Sequence, residues 1–99
     1  MLLTGKNALV TGGGRGIGRG ISEKLLAAGA RVLVAQRQVL DAELADNPNV
    51  FFVKADLAES GAPDLIARAA AELLGGIDVL VNNAGFMFER PIEAMSEQD

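Results

Sequence analysis

"VTGGGRGIG", positions 10–18, decides how this chain is read. An apolar run of strand length, "NALV" (7–10), leads into it. A helical pattern leads out, with Ile17, Ile21, Leu25 and Ala28 recurring at four, four and three residues. A glycine-rich turn between a strand and a helix lets the backbone pass close to a phosphate, and the helix N-terminus adds free amides and positive potential. The spacing Gly12-x-x-x-Gly16-x-Gly18 differs from the common G-x-G-x-x-G, and no Gly-Lys-Ser/Thr follows to make a P-loop. Tight turning and close helix–sheet packing would also explain the glycines, and Gly18 and Gly20 can serve that purpose without a ligand. The strand–turn–helix setting favours a phosphate site.

Three more apolar runs follow: "RVLVA" (31–35), "VFFV" (50–53) and "DVLV" (78–81). They are apolar at successive positions, which predicts parallel strands covered on both faces. Gly29 closes the first helix as a C′ residue. "VLDAELAD" (39–46) predicts a short second helix, ended by the turn "NPN". From Pro63 onward, Leu65, Ile66, Ala69, Leu73 and Leu74 form a stripe that predicts a third helix, closed by Gly75-Gly76. The order is β-α-β-α-β-α-β. With right-handed crossovers it predicts an α/β fold, a Rossmann-type doubly wound parallel sheet of four strands, in the order 3-2-1-4 if the third crossover reverses direction.

Composition narrows the function. Ninety-nine residues, 49% hydrophobic with a mean hydropathy of +0.26, suffice for one domain with a core. No window approaches the roughly 18 apolar residues of a membrane span. The start, "MLLTGKNALV", lacks the basic region of a secretory signal, so a cytoplasmic location is expected. The absence of cysteine removes disulfides and thiolate metal sites and suits a reducing compartment. The absence of histidine removes imidazole catalysis and histidine-ligated metals. A net charge of −4 argues against nucleic acid as a partner. Positive charge is nevertheless concentrated in the first third, where Arg15, Arg19, Arg31 and Arg37 accompany the glycine-rich stretch.

Three further motifs lie at strand ends or beyond. Asp56-Leu57 follows the third strand, Asn82-Asn83-Ala84-Gly85 ends the fourth, and "PIEAMSEQD" (91–99) reads as the start of another helix. Together with T-G-x-x-x-G-I-G, they make the chain resemble the short-chain dehydrogenase/reductase family along its whole length. The resemblance implies that Gly12, Arg15, Gly16, Ile17 and Gly18 contact the phosphates and ribose of a nicotinamide dinucleotide. It implies that Asp56 meets the adenine amino group and the Leu57 amide a ring nitrogen. Asn83, Ala84 and Gly85 would form the floor beside the two riboses. Other roles compete at several positions. Thr11 and Asn82 are expected to tie strand ends together, Asp56 to cap a helix if it does not meet adenine, and Asp78 to serve a turn.

The end of the second strand bears on which nucleotide binds. An NAD-binding site places an acid there for the ribose 2′-hydroxyl. This chain has Gln36 in that place, followed by Arg37, and no acid from Ala35 to Gln38. A guanidinium pairs with a 2′-phosphate that a carboxylate would repel. Arg15 can approach the same phosphate from the glycine turn, so NADP is expected over NAD; the alternative is a solvated Arg37 on the surface. The missing acid also weakens FAD and S-adenosylmethionine as ligands, since their sites use one to hold ribose hydroxyls.

The resemblance implies hydride transfer between a nicotinamide and a carbonyl or alcohol, with a tyrosine in Tyr-x-x-x-Lys, a serine and an asparagine as the catalytic groups. These 99 residues contain no tyrosine, and Lys6, Lys24 and Lys54 all fall in the nucleotide-binding part. No catalytic residue is therefore assigned. Ser96-Glu97-Gln98-Asp99 forms a capping box with no helix after it. Residues 1–99 are thus expected to be the NAD(P)-binding half of a longer oxidoreductase, cut at the start of its fourth helix and inactive alone. Its partners would be a dinucleotide, a small carbonyl or alcohol, and either a second copy or a C-terminal half. A module that binds a nucleotide or a partner without chemistry is the alternative. Phe86, Met87 and Phe88 are candidates for substrate contact, although packing competes.

Overall fold

The computed structural model of the protein describes residues 2–12, 14 and 16–83. The chain runs β1 (Asn7–Thr11), α1 (Gly16–Ala27), β2 (Arg31–Gln36), α2 (Ala42–Ala45), β3 (Val50–Lys54), α3 (Ala62–Leu73) and β4 (Val79–Asn82). The four strands form one sheet in the order β3-β2-β1-β4, every pair parallel. The topology is the predicted one. Thr11 pairs with Ala35 on one side and Asn82 on the other, and Gln36 pairs with Lys54. The C-terminal ends of all four strands, with the turns that follow them, therefore meet along one edge.

The unbroken apolar runs reflect two separate cores. Ala8, Val10, Val32 and Val34 pack on one face against Leu25 and Leu26 of α1. Leu9, Leu33 and Ala35 pack on the other against Ala62, Ile66 and Ala70 of α3. Neighbours along a strand point to opposite faces, so only a strand covered twice buries them all, as β1 and β2 do from Ala8 to Thr11 and from Val32 to Gln36. β3 and β4 form the two edges, and their apolar side chains are only half-buried. The expectation of double cover therefore holds for the central pair alone.

The helices turn different faces inward than their largest residues predict. Gly18 and Ser22 are the buried residues of α1, whereas Ile17 is 79% exposed. Ala62, Ile66 and Ala70 are the buried residues of α3, at four-residue spacing, while Leu65 and Leu73 are exposed. Small residues, Gly18 and Ser22 in α1 and Ala62 and Ala70 beside Ile66 in α3, face the sheet because they let the helix axis come close to it. Stripes drawn through the bulkiest side chains miss that. α2 is a single turn, with Asp41 Oδ1 accepting from the Leu44 amide at 2.9 Å. Val39 and Leu40, predicted to lie in this helix, precede it. Gly29, at φ +99°, closes α1 as expected: Ala30 N donates to Leu25 O and Gly29 N to Leu26 O, both at 3.0 Å.

The N-terminal edge of the sheet is tied separately. Asn7 N donates to Asp78 Oδ2, and Asp78 N donates to the Asn7 carbonyl, each at 2.8 Å. Asp78, expected to serve a turn, instead ties the start of β4 to the start of β1. Arg31 donates to the Leu73 carbonyl at 2.8 Å and lies 5.1 Å from the centre of the Phe51 ring. It places a cation at the negative end of α3, at the sheet edge opposite the glycine turn. Sequence proximity to that turn was misleading for Arg31. No described helix is long and apolar enough to cross a membrane.

Ile66 is fully buried between α3 and the sheet. Ile66→Ala is expected to cost about 2–5 kcal/mol through lost transfer energy and a residual cavity. Chemical denaturation should show a lower midpoint at an unchanged slope. A midpoint equal to that of the wild type would mean that α3 does not pack as described.

Candidate functional site

The glycine turn lies at the C-terminal edge, between β1 and α1. Gly12 has φ +68° and Gly16 φ +53°, backbone conformations that residues with a Cβ adopt only at a cost. A Cβ on Gly16 would find no atom within 4 Å among the described residues beyond its chain neighbours, so these leave the space over the start of α1 open. The first turn of α1 carries no acidic residue to oppose an anion there. Gly18 differs. It is buried, and a Cβ on it would overlap the Gly12 carbonyl oxygen and stand 2.6 Å from Asn83 Nδ2. Close packing therefore accounts for Gly18, although not for Gly20, whose Cβ would meet nothing within 4 Å.

Strand ends hold the turn from below. Thr11 Oγ1 donates to Asn82 Oδ1 at 3.1 Å, the tie expected of that pair. Asn83 Nδ2 donates to the Gly12 carbonyl at 3.4 Å, connecting the end of β4 to the glycines. Gln36 reaches across from β2. Its side chain is buried; Oε1 accepts from Gly14 N at 2.9 Å and Nε2 donates to Gln38 O at 2.8 Å. In the acid's place thus stands an amide that fixes the glycine turn to the end of β2. A carboxylate could accept from Gly14 but could not donate to Gln38.

Gly12, Gln36, Arg37, Gln38, Asp56 and Leu57 line a cleft of about 250 Å³. Five of the six are expected site residues, brought together from three turns. Asp56 Oδ1 accepts from Ala58 N at 3.0 Å and so closes its own turn. α3 begins only at Ala62, with Gly61 as its cap, so Asp56 does not cap that helix. A second cleft, of about 460 Å³, adjoins the first and adds Lys54 and Glu59 to Arg37, Gln38 and Asp56. Lys54 escaped the sequence reading. Its one signal is its place two residues before Asp56, which means nothing until β3 is known to pair with β2.

The arginines divide sharply. Arg19 joins Glu23 at 3.3 Å, Glu43 at 2.6 Å and Asp41, tying α1 to the start of α2. The Glu23 hydrogen bond, aided by the fields of Asp41 and Glu43 and opposed by burial, raises its pKa further above the ordinary arginine value. Its charge is engaged by protein acids. Arg37 is exposed at the cleft and makes no ion pair among the described residues. Arg15, Ala84 and Gly85 lie outside the described residues, as do Phe86, Met87, Phe88 and the capping box at Ser96. Among the described residues no group of three or more His, Cys, Asp or Glu could hold a metal ion.

Residues 6–99 match the family described as short chain dehydrogenase. The chain is 41% identical over 102 residues to an L-2,3-butanediol dehydrogenase of Corynebacterium glutamicum, covering 95% of this chain and 40% of that protein. It is 41% identical over 101 residues to an L-xylulose reductase of Bos taurus, covering 97% of this chain and 38% of that one. Among solved structures, a 3-oxoacyl-[acyl-carrier protein] reductase from Brucella melitensis superposes with a TM-score of 0.74 at 40% identity, over 82% of this chain and 35% of that one. The chain spans about two fifths of the length of the curated relatives it matches. With almost its whole length matching, and with the predicted strand order and glycine turn in place, the chain belongs to the short chain dehydrogenase family.

Proposed function

We propose that these residues bind the adenosine and phosphate portion of NADP(H) within an oxidoreductase that moves a hydride between a nicotinamide and a carbonyl or alcohol. The observation that carries this reading is the cleft itself. It gathers the glycine turn, Arg37 and Asp56 at the C-terminal edge of the sheet, where open α/β sheets bind ligands. The residues fit such a ligand: the space over Gly16 is open, and the start of α1 carries no acid. The named proteins that the chain resembles, a dehydrogenase and two reductases, support the reaction class.

In this reading the amides of the first turn of α1, from Gly16 onward, with the positive end of that helix, hold the pyrophosphate, while the Gly12 and Gly14 amides stay bound to Ala35 O and Gln36 Oε1 and shape the turn. Asp56 and the Leu57 amide orient the adenine. Arg37 pairs with the 2′-phosphate, joined by Arg15 from the turn, and Asn83, Ala84 and Gly85 support the riboses. Gln36 acts on the protein, keeping Gly14 in position so that the turn is formed before the ligand arrives. Such preorganisation lowers the ordering cost of binding. The bound nicotinamide supplies or accepts the hydride. The proton must come from elsewhere than a tyrosine or histidine of these 99 residues, which contain neither. We propose accordingly that residues 1–99 are the dinucleotide-binding part of a longer protein and show no turnover alone.

Arg37→Ala is expected to weaken NADP binding by about 1.5–3 kcal/mol, roughly ten- to a hundredfold, and to leave NAD binding nearly unchanged. Titration calorimetry with both nucleotides reads this directly. Tighter binding of NAD than NADP by the unaltered protein would overturn the cofactor assignment.

A further inference from the structure

The cleft beyond Arg37 contains a second cation in a suitable place. Gln36 and Lys54 are paired in the parallel register of β2 and β3, so their side chains leave the same face of the sheet at adjacent strand ends. The Gln36 side chain is folded back onto Gly14 and Gln38, which leaves Arg37 and Lys54 as the basic groups of the cleft they line with Gln38, Asp56 and Glu59. Both cations are exposed, and neither forms an ion pair among the described residues, although two acids line the same cleft. By contrast, Arg19 is held by three acids and Arg31 by the end of α3.

We infer that Lys54 is a specificity-determining residue that holds the ribose 2′-phosphate jointly with Arg37; the inference rests on the NADP reading above. A dianionic phosphate at the Arg37–Lys54 end of the cleft would be met from two adjacent strand ends. Arg37 offers a planar fork and Lys54 a compact point charge. Asp56 and Glu59 shape the outcome from the remaining wall. The Asp56 carboxylate closes its own turn through Ala58 N, and the two acids disfavour a second anion in the rest of the cleft. A ligand without the phosphate gains nothing from Lys54, so the residue separates phosphorylated from unphosphorylated ribose and leaves adenine binding alone.

The test uses two small probes, 2′,5′-ADP and 5′-AMP, which differ at the ribose 2′ position. Each is titrated into the intact protein and into its Lys54→Ala, Lys54→Gln and Arg37→Ala variants. Lys54→Ala and Lys54→Gln should weaken 2′,5′-ADP roughly tenfold, the scale of one charge-assisted contact at a partly open site. Both should leave 5′-AMP within about twofold and flatten the salt dependence of 2′,5′-ADP binding by about one ion, by analogy with counterion release at phosphates. Wild-type affinity for 2′,5′-ADP in both Lys54 variants, with a loss in Arg37→Ala, would overturn the role of Lys54 and leave the NADP reading intact. Equal loss of both probes would overturn it too, by showing that Lys54 supports the fold or the adenine. An unaltered protein that binds 5′-AMP as tightly as 2′,5′-ADP would remove the NADP reading, and this inference with it.

Discussion

Gly18→Val should melt well below the wild type, whereas Gly20→Ala, two residues along the same helix, should melt above it. A side chain at Gly18 would be driven into the Gly12 carbonyl and the Asn83 amide, and both are fixed, one as backbone and the other by its tie to that backbone. Relief requires α1 to move off the sheet. Overpacking a rigid site costs about 1–3 kcal/mol for ordinary insertions and more where backbone must shift. That is a large share of a small domain's stability of about 5–15 kcal/mol. At Gly20 a Cβ would point into open space, so Ala gains about 0.5–1 kcal/mol from helix propensity alone. Thermal melts of the two variants beside the wild type decide the matter. A Gly18→Val protein that melts with the wild type would mean that the helix does not approach the turn so closely.

Gly16→Val is expected to abolish NADP binding in a protein that still folds. A Cβ there meets nothing within 4 Å among the described residues beyond its chain neighbours; the cost to the fold comes from the φ of +53°, which disfavours a β-branched residue by about 1–3 kcal/mol. The side chain would fill the space over α1 that a pyrophosphate is proposed to occupy. Circular dichroism must first show native helix and strand, and calorimetry then measures affinity. Loss of several kcal/mol of binding, more than a hundredfold, is the expected result. Retained NADP affinity in a folded Gly16→Val protein would reduce the glycine motif to a packing device. Gly16 and Gly18 are two residues apart in one motif, yet the two substitutions fail for different reasons: one blocks a ligand and the other breaks a contact within the protein.

Where these residues lie was unevenly legible. That the glycine turn, Asp56-Leu57, Asn83 and Gln36 share one edge of the sheet can be read from position, because a strand-length run before each motif fixes which edge it reaches. The tie between Thr11 and Asn82 is legible too, because short polar residues at strand ends have few options. Burial was harder to read. The stripes in α1 and α3 named Ile17, Leu65 and Leu73, all of which the fold leaves exposed. Periodicity locates a helix, but its inner face depends on how near the axis comes to the sheet.

By itself the sequence determined the element order, the parallel pairing of the strands and the turn that carries the candidate site. These follow from hydrophobic periods and from the fixed hand of β-α-β crossovers, which are local and chiral properties of the chain. The order 3-2-1-4 needs the third crossover to reverse direction, and the assembled sheet shows that it does. Only the tertiary structure sorted three similar arginines into distinct roles. Arg19 is engaged by three acids, and Arg31 lies at the far edge, while Arg37 stands open at the cleft. It also turned Gln36 inward to clamp Gly14, and set Lys54 opposite it across β2 and β3. A charge acts through distance, and distances between residues far apart in sequence exist only once the strands are in register.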